Sequence, residues 1–242
     1  MRLGIVGGMG SPAGAWLFSH ILAYAKAERD QDYPEILLHN NSRIPDRTEA
    51  ILYGGKSPIP ELARSIHIFN SSEMDIAVLA CMTAYYYHRQ LAAIFRGRLV
   101  DPVELVLRKI LDGRGPGIKR VGLMGTSGLI RSNIFPDRFG PAGLEIITLD
   151  EDDQQKYFMT PIYMPSGIKS GINTPEIRDL FWTQSKILTA KGADVLVGAC
   201  SEIPLVLDRT FDRPFFNVFD LLAKELASMT ITKNKKYNAR TI

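Results

Sequence analysis

The chain has 242 residues, of which 45% are hydrophobic and 23% charged, the make-up of an ordinary globular protein able to form one large α/β domain or two compact lobes. Its net charge of +3 falls to −1 without Lys233, Lys235, Lys236 and Arg240 near the end, so no clustered basic face for nucleic acid is expected. No apolar run approaches the roughly 18 residues of a membrane span, and two cysteines with four scattered histidines lack the close spacing of a structural zinc site.

In chain order, Arg2-Leu3-Gly4-Ile5-Val6-Gly7 reads as a buried first strand. It is too short and too rich in glycine for a signal peptide. A cytoplasmic location with reduced cysteines is therefore expected. Ser11 suits an N-cap and Pro12 a first turn, so a helix is predicted over about 12–27. Trp16, Leu17, Ile21 and Tyr24 would face inward, and Lys26 and Glu28 outward. A second strand is read at 35–39, a polar, turn-rich loop at 40–48, a helix from Ile59 to Ser71, and a strand ending at Cys81.

Gly8-Met9-Gly10-Ser11-Pro12-Ala13 fits the dinucleotide fingerprint, which also requires an acid at the end of the second strand. That strand ends Leu38-His39-Asn40-Asn41, and Asp46 comes only later, in the loop. The glycine pattern alone is weak support for a nucleotide-dependent enzyme.

The chain repeats itself. Asp75-Ile76-Ala77-Val78-Leu79-Ala80-Cys81 returns as Asp194-Val195-Leu196-Val197-Gly198-Ala199-Cys200, an offset of 119 residues. Arg2, Gly4, Gly7 and Gly10 return as Arg120, Gly122, Gly125 and Gly128, an offset of 118. Two matches at nearly one offset predict a duplication. The expected fold is α/β: two similar lobes with parallel sheets flanked by helices, related by a pseudo-twofold axis, with the active site between the lobes. The expected parts are an N-terminal lobe at 1–101, joined by a C-terminal helix within 212–230 (about 218–229), a second lobe at 102–211, and a flexible basic tail at 231–242.

The chain's two cysteines, Cys81 and Cys200, both stand where a buried strand gives way to polar residues, the place where parallel α/β sheets put their ligands. If the lobes face each other, one thiol stands on each side of a bound carbon. One can then remove a proton while the other returns one to the opposite face. A thiol of ordinary pKa, about 8.5, needs a cation or a helix N-terminus to ionise, and both cysteines precede expected helical turns. Backbone N–H groups of the Gly7-Gly8-Met9-Gly10 loop and the Thr126-Ser127 hydroxyls could stabilise charge on the substrate.

These segments, with Ile44-Pro45-Asp46-Arg47-Thr48 and Ile168-Lys169-Ser170-Gly171, resemble the aspartate/glutamate racemase family, and most closely its aspartate racemase branch. The resemblance covers almost the whole chain. It implies a cofactor-independent enzyme, generally a homodimer, acting on a small dicarboxylic amino acid, with Cys81 and Cys200 catalytic and no nucleic acid, membrane or metal involved. Arg47 and Lys169 suit the substrate's carboxylates, the first as a fork and the second as a point charge. Gly8, Met9, Met82, Thr83, Thr126, Ser127, Ser201 and Glu202 complete the expected binding set. Glu202 could relay a proton or bind the substrate amine, and no acid follows Cys81 equivalently.

Three positions depart from the family pattern. Ser201 replaces Thr and keeps the hydroxyl, and Tyr85 stands where His is usual. Met82 replaces an Asn, and the lost contact to a charged group is worth about 1.5–3 kcal/mol. The resemblance therefore leaves open a glutamate or substituted-aspartate racemase, a decarboxylase or isomerase on the same scaffold, or a binding protein without catalysis.

Overall fold

The computed structural model describes residues 1–113, 117–206 and 210–238, with side chains as far as Met229. Its frame is two parallel sheets of four strands. The first has the order β2-β1-β3-β4, with β1 Arg2–Gly7, β2 Glu35–Asn40, β3 Ile76–Leu79 and β4 Arg98–Leu99. The second has the order β6-β5-β7-β8, with β5 Arg120–Met124, β6 Glu145–Ile147, β7 Val195–Gly198 and β8 Phe215–Asn217. The two orders are the same, and so are the registers: Leu3 pairs with Ile36 and Ile76, and Val121 with Ile146 and Val195.

The repeated aspartate has a physical reason. The Asp75 carboxylate accepts the Arg2 N–H at 2.7 Å, and the Asp194 carboxylate accepts the Arg120 N–H at 2.8 Å. Each acid thus closes the open start of the first strand of its lobe, β1 or β5, satisfying a donor that the ladder leaves unpaired. The N–H groups of Lys119 and Arg120 hold Asp194 below the usual carboxylate range.

Helices α1 Ser11–Ala25, α2 Arg47–Leu52, α3 Ile59–Ser71 and α4 His88–Ile94 accompany the first sheet. After α5, Pro102–Asp112, come α6 Ser127–Arg131, α7 Ile134–Phe139, α8 Glu151–Gln154, α9 Thr160–Tyr163, α10 Pro175–Ala190 and α11 Ile203–Val206. The last, α12 Val218–Asn238, returns to lie along α1, where the Tyr24 hydroxyl donates to Asp220. Val218, Leu222 and Leu226 recur at helical spacing on its buried side. The larger core runs from Leu3, Ile5 and Val78 through α5 to Val121, Val195 and Leu222, so it spans both sheets. A second cluster, around Phe158, Phe181 and Leu196, covers the other face of the second sheet.

Three expectations change. Gly10, not Ser11, is the N-cap of α1, and no side chain caps it; Pro12 takes the first turn as expected. Residues 215–217, expected to belong with the returning helix, form the fourth strand of the second sheet. The helix expected over 218–229 continues to Asn238, into the stretch expected as a tail, while the side chains of Lys233, Lys235, Lys236 and Arg240 lie outside the described residues. Among the described residues no helix is long and apolar enough to cross a membrane.

The lobes meet closely. A Cβ added at Gly128 on α6 would stand 2.7 Å from Thr48 Oγ1 and 2.8 Å from Thr48 Cα on α2, nearer than real side chains approach. Beside this contact the hydroxyls of Thr83 and Thr126 join across the lobes at 2.7 Å.

Candidate active site

Cys81 stands two residues beyond β3 and Cys200 two residues beyond β7. Each is followed by a short helical turn, Thr83–Tyr87 after the first and Ile203–Val206 after the second. Both thiols are unbonded, both are 6% exposed, and both line one cleft between the lobes. The free space inside it, about 10 Å3, is room for roughly one water molecule. A groove of about 360 Å3 adjoins it and shares Thr48 and Tyr163 with its wall. A wider groove of about 780 Å3, lined by residues such as Tyr53, Arg131 and Asp152, contains neither cysteine.

Of the expected binding residues, Met9, Arg47, Met82, Thr83, Thr126, Lys169, Ser201 and Glu202 line the cleft with the cysteines. Gly8 and Ser127 are not among its lining residues. Gly8, at φ +88°, passes against the backbone of Asn41, and a Cβ there would lie 2.2 Å from the Asn41 carbonyl carbon. Its glycine is required by that crossing. Ser127 borders the outer grooves, and its N–H donates to Met159 Sδ at 3.3 Å.

Arg47 opens α2 and is 5% exposed. Its guanidinium donates to the carbonyls of Met9 (2.8 Å) and Pro45 (3.2 Å), and its Nε is buried without a hydrogen-bond partner. Burial works against its charge, but the adjoining Cys81 sulfur and Asp46 carboxylate outweigh that and raise its pKa, so it stays cationic. Asp46, the cap of α2, accepts from the N–H groups of Thr48 and Glu49. It also meets the second lobe, where Lys169 Nζ lies 3.5 Å from its Oδ2 and the Tyr163 hydroxyl donates to it at 3.1 Å. Lys169 Nζ stands 4.0 Å from the centre of the Tyr163 ring. Burial would raise the Asp46 pKa, yet Arg47, the Glu49 N–H and Lys169 bring it below the usual range. Burial likewise opposes the Lys169 charge, but Tyr163, Glu202 and Asp46 leave its pKa raised.

Cys200 has a different neighbour. Its Sγ donates to Glu202 Oε2 at 2.9 Å, and the Ser201 hydroxyl donates to the same oxygen at 2.9 Å. Burial pushes the Cys200 thiol well above its ordinary range, and the carboxylate beside it pushes further the same way. The expectation that a helical turn would favour the anion at both cysteines therefore does not hold at Cys200. A four-residue turn has little dipole to offer, and the adjacent carboxylate opposes it. Glu202 is 3% exposed, and its Oε1 is buried without a partner. Arg47 Nε and Glu202 Oε1 thus leave an unpaired donor and an unpaired acceptor in one cleft.

Met82 lines the cleft with an apolar side chain, as its sequence requires. Tyr85 does not line it. Its buried hydroxyl accepts the Leu79 N–H at 3.0 Å, which ties off the end of β3. Thr48, Tyr163 and Ala199 line the cleft without having been anticipated. Thr48 adjoins Arg47 in the quoted segment and Ala199 adjoins Cys200 in the repeat, so both had a signal in hand. Tyr163 carried none.

The family model for the Asp/Glu/Hydantoin racemases matches residues 6–226. Among solved structures, the chain is similar to the aspartate racemase of Picrophilus torridus, with TM-score 0.78 and 23% identity over 95% of this chain and 94% of that one. It is similar to an aspartate racemase homologue from Pyrococcus horikoshii, with TM-score 0.72 and 14% identity over 95% and 98%. It is also similar to the glutamate racemase of Campylobacter jejuni subsp. jejuni, with TM-score 0.67 and 15% identity over 95% and 86%. At these identities the likeness to solved structures is one of fold.

Proposed function

The chain belongs to the Asp/Glu/hydantoin racemase family, and from that premise we propose that it interconverts the enantiomers of a dicarboxylic amino acid, aspartate before others, using Cys81 and Cys200 without a cofactor. The observation that carries this reading is the placement of two unbonded thiols at equivalent strand ends of two repeated lobes, in the wall of one cleft. A carbon held between them can lose a proton to one sulfur and gain one from the other, which inverts it.

The charges divide the work. A negative charge on the Cys81 sulfur is the one that Arg47 neutralises, whereas Cys200 is held as a thiol by burial and Glu202. As the α-proton leaves, charge grows on the substrate's carboxyl oxygens, and a donor already in place stabilises it without reorganising. Arg47 Nε, buried and free of a partner, suits that task. Lys169 supplies a second cation for the side-chain carboxylate. The free space in the cleft is too small for any amino acid, so the lobes must part for a substrate to enter.

The test is to incubate L- and D-aspartate separately with the protein in deuterated water, without added cofactor and with a chelator present. Each enantiomer should gain deuterium at Cα and give the opposite enantiomer on chiral chromatography. Tight aspartate binding without exchange, for aspartate and for glutamate, would replace the enzyme reading with that of a binding protein.

A further inference from the structure

We propose that Cys81 and Cys200 join in a reversible disulfide across the cleft when the protein meets hydrogen peroxide, which fastens the two lobes together and withdraws both thiols. On the racemase reading these sulfurs carry protons. A bond between them is a separate property, and its formation does not depend on turnover.

The cleft brings the pair together. Both thiols are unbonded, stand at equivalent strand ends of facing lobes, and line one space of about 10 Å3, room for roughly one water molecule. The Cys81 sulfur is near enough for its charge to act on the Cys200 thiol. A disulfide needs Cα atoms within about 7 Å of each other. Lobes that part to admit a substrate also have the freedom to close that distance, and peroxide is smaller than any amino acid. The two sulfurs are unlike in the way such a bond requires. Cys81 adjoins the Arg47 guanidinium, which favours the thiolate that reacts with peroxide, while Cys200 waits as a thiol that donates to Glu202 Oε2 at 2.9 Å. An ionisable sulfur beside a second, resolving one is the arrangement of redox-sensing cysteines. The sequence holds only these two cysteines, so a disulfide within the chain has a single possible pairing.

The bond forms in two balanced steps. The Cys81 thiolate attacks one oxygen of hydrogen peroxide and the O–O bond breaks, so sulfur gains a hydroxyl while the other oxygen leaves as hydroxide and takes a proton from solvent. Sulfur has then given up two electrons, and peroxide has accepted them. The Cys200 sulfur next attacks that of Cys81. An S–S bond forms as the S–O bond breaks, and the departing hydroxide leaves with the Cys200 proton as water. Dithiothreitol reverses the result by exchange at sulfur, restoring both thiols as it becomes a cyclic disulfide itself. While the bond stands, neither sulfur is available to a substrate carbon, and the link between residues 81 and 200 holds the lobes closed.

The experiment exposes the unaltered protein to a small excess of hydrogen peroxide at neutral pH, then unfolds it without reductant for intact-mass, free-thiol and peptide analysis. The expected product is a single chain lighter by two hydrogen atoms, with both free thiols lost and a peptide pair joining Cys81 to Cys200. Dithiothreitol should return both thiols, and the oxidised form should melt about 5 °C or more above the reduced one. In Cys200→Ser the first step should stop at a sulfenic acid on Cys81, which dimedone traps. In Cys81→Ser, peroxide should oxidise Cys200 at least about tenfold more slowly than it oxidises Cys81, because the thiolate is the reactive form. A bond between two chains, oxidation to sulfinic acid without the linked peptide, two thiols that persist, or an oxidised form that melts no higher would each overturn the proposal. Aspartate racemisation, where present, should vanish on oxidation and return with dithiothreitol. A protein that forms the bond but exchanges no amino acid would sink the racemase reading alone, and one that exchanges aspartate but forms no bond would sink the disulfide alone.

Discussion

The first lobe places a guanidinium beside Cys81, and the second places a carboxylate beside Cys200. Yet strand order, register and the closing aspartates are shared between them. Backbone topology is alike in the two lobes where the hydrogen-bond ladder demands it, and the charges differ at the cleft. A pseudo-symmetric scaffold can therefore surround its two thiols with opposite charges, and on the proposed reading a symmetric reaction needs no symmetric site.

The comparison breaks first at the thiols themselves. Cys81→Ser and Cys200→Ser should each lower racemisation by at least about 10³-fold, since each removes a positioned proton donor or acceptor. Chiral chromatography of aspartate after long incubation checks this, and substantial racemisation by either variant would mean that one thiol suffices. A smaller contrast should separate the two sulfurs by reactivity. Both are 6% exposed, so access alone does not favour either. With iodoacetamide at pH 7.5, followed by peptide mass spectrometry, Cys81 should react at least about tenfold faster than Cys200, because the thiolate is the attacking species. Comparable rates would show that Arg47 and Glu202 do not divide the charges as described.

The least effect concerns the bridge between lobes. Asp46→Ala removes the cap of α2 and the partner of Lys169, and should cost about 1 kcal/mol, or roughly 2–4 °C in Tm at pH 7. The sign follows from a depressed pKa. The Asp46 contribution is present above its ordinary value of 3.8 and is lost as pH falls through the lower folded value. The difference in Tm between the two proteins should thus shrink only in acid, and a constant difference at pH 3 would contradict that assignment.

Much of this arrangement was legible in the sequence, because a repeat states its own architecture. The matched Asp-to-Cys segments located β3, β7 and both thiols, and the run from Ile59 to Ser71 reads as the helix it is. Strands β4, β6 and β8 were not legible, since two or three residues carry no periodicity and gain their identity only from the neighbour they pair with. Tyr163 was hidden for a similar reason. It follows a π-helical stretch, Gln155–Met159, and reaches Asp46 only once the lobes have packed. Charges at Cys200 misled because local sequence shows the helical turn after it, whereas the bond to Glu202 depends on side-chain direction.

Gly128 does not itself line the cleft, but Thr48, which does and which adjoins Arg47, rests where its side chain would be. The gap at this seam is narrower than one methyl group. Any residue larger than glycine there would wedge the halves apart and withdraw the guanidinium from the sulfur it serves. The shape of the cleft therefore depends on a position outside its wall.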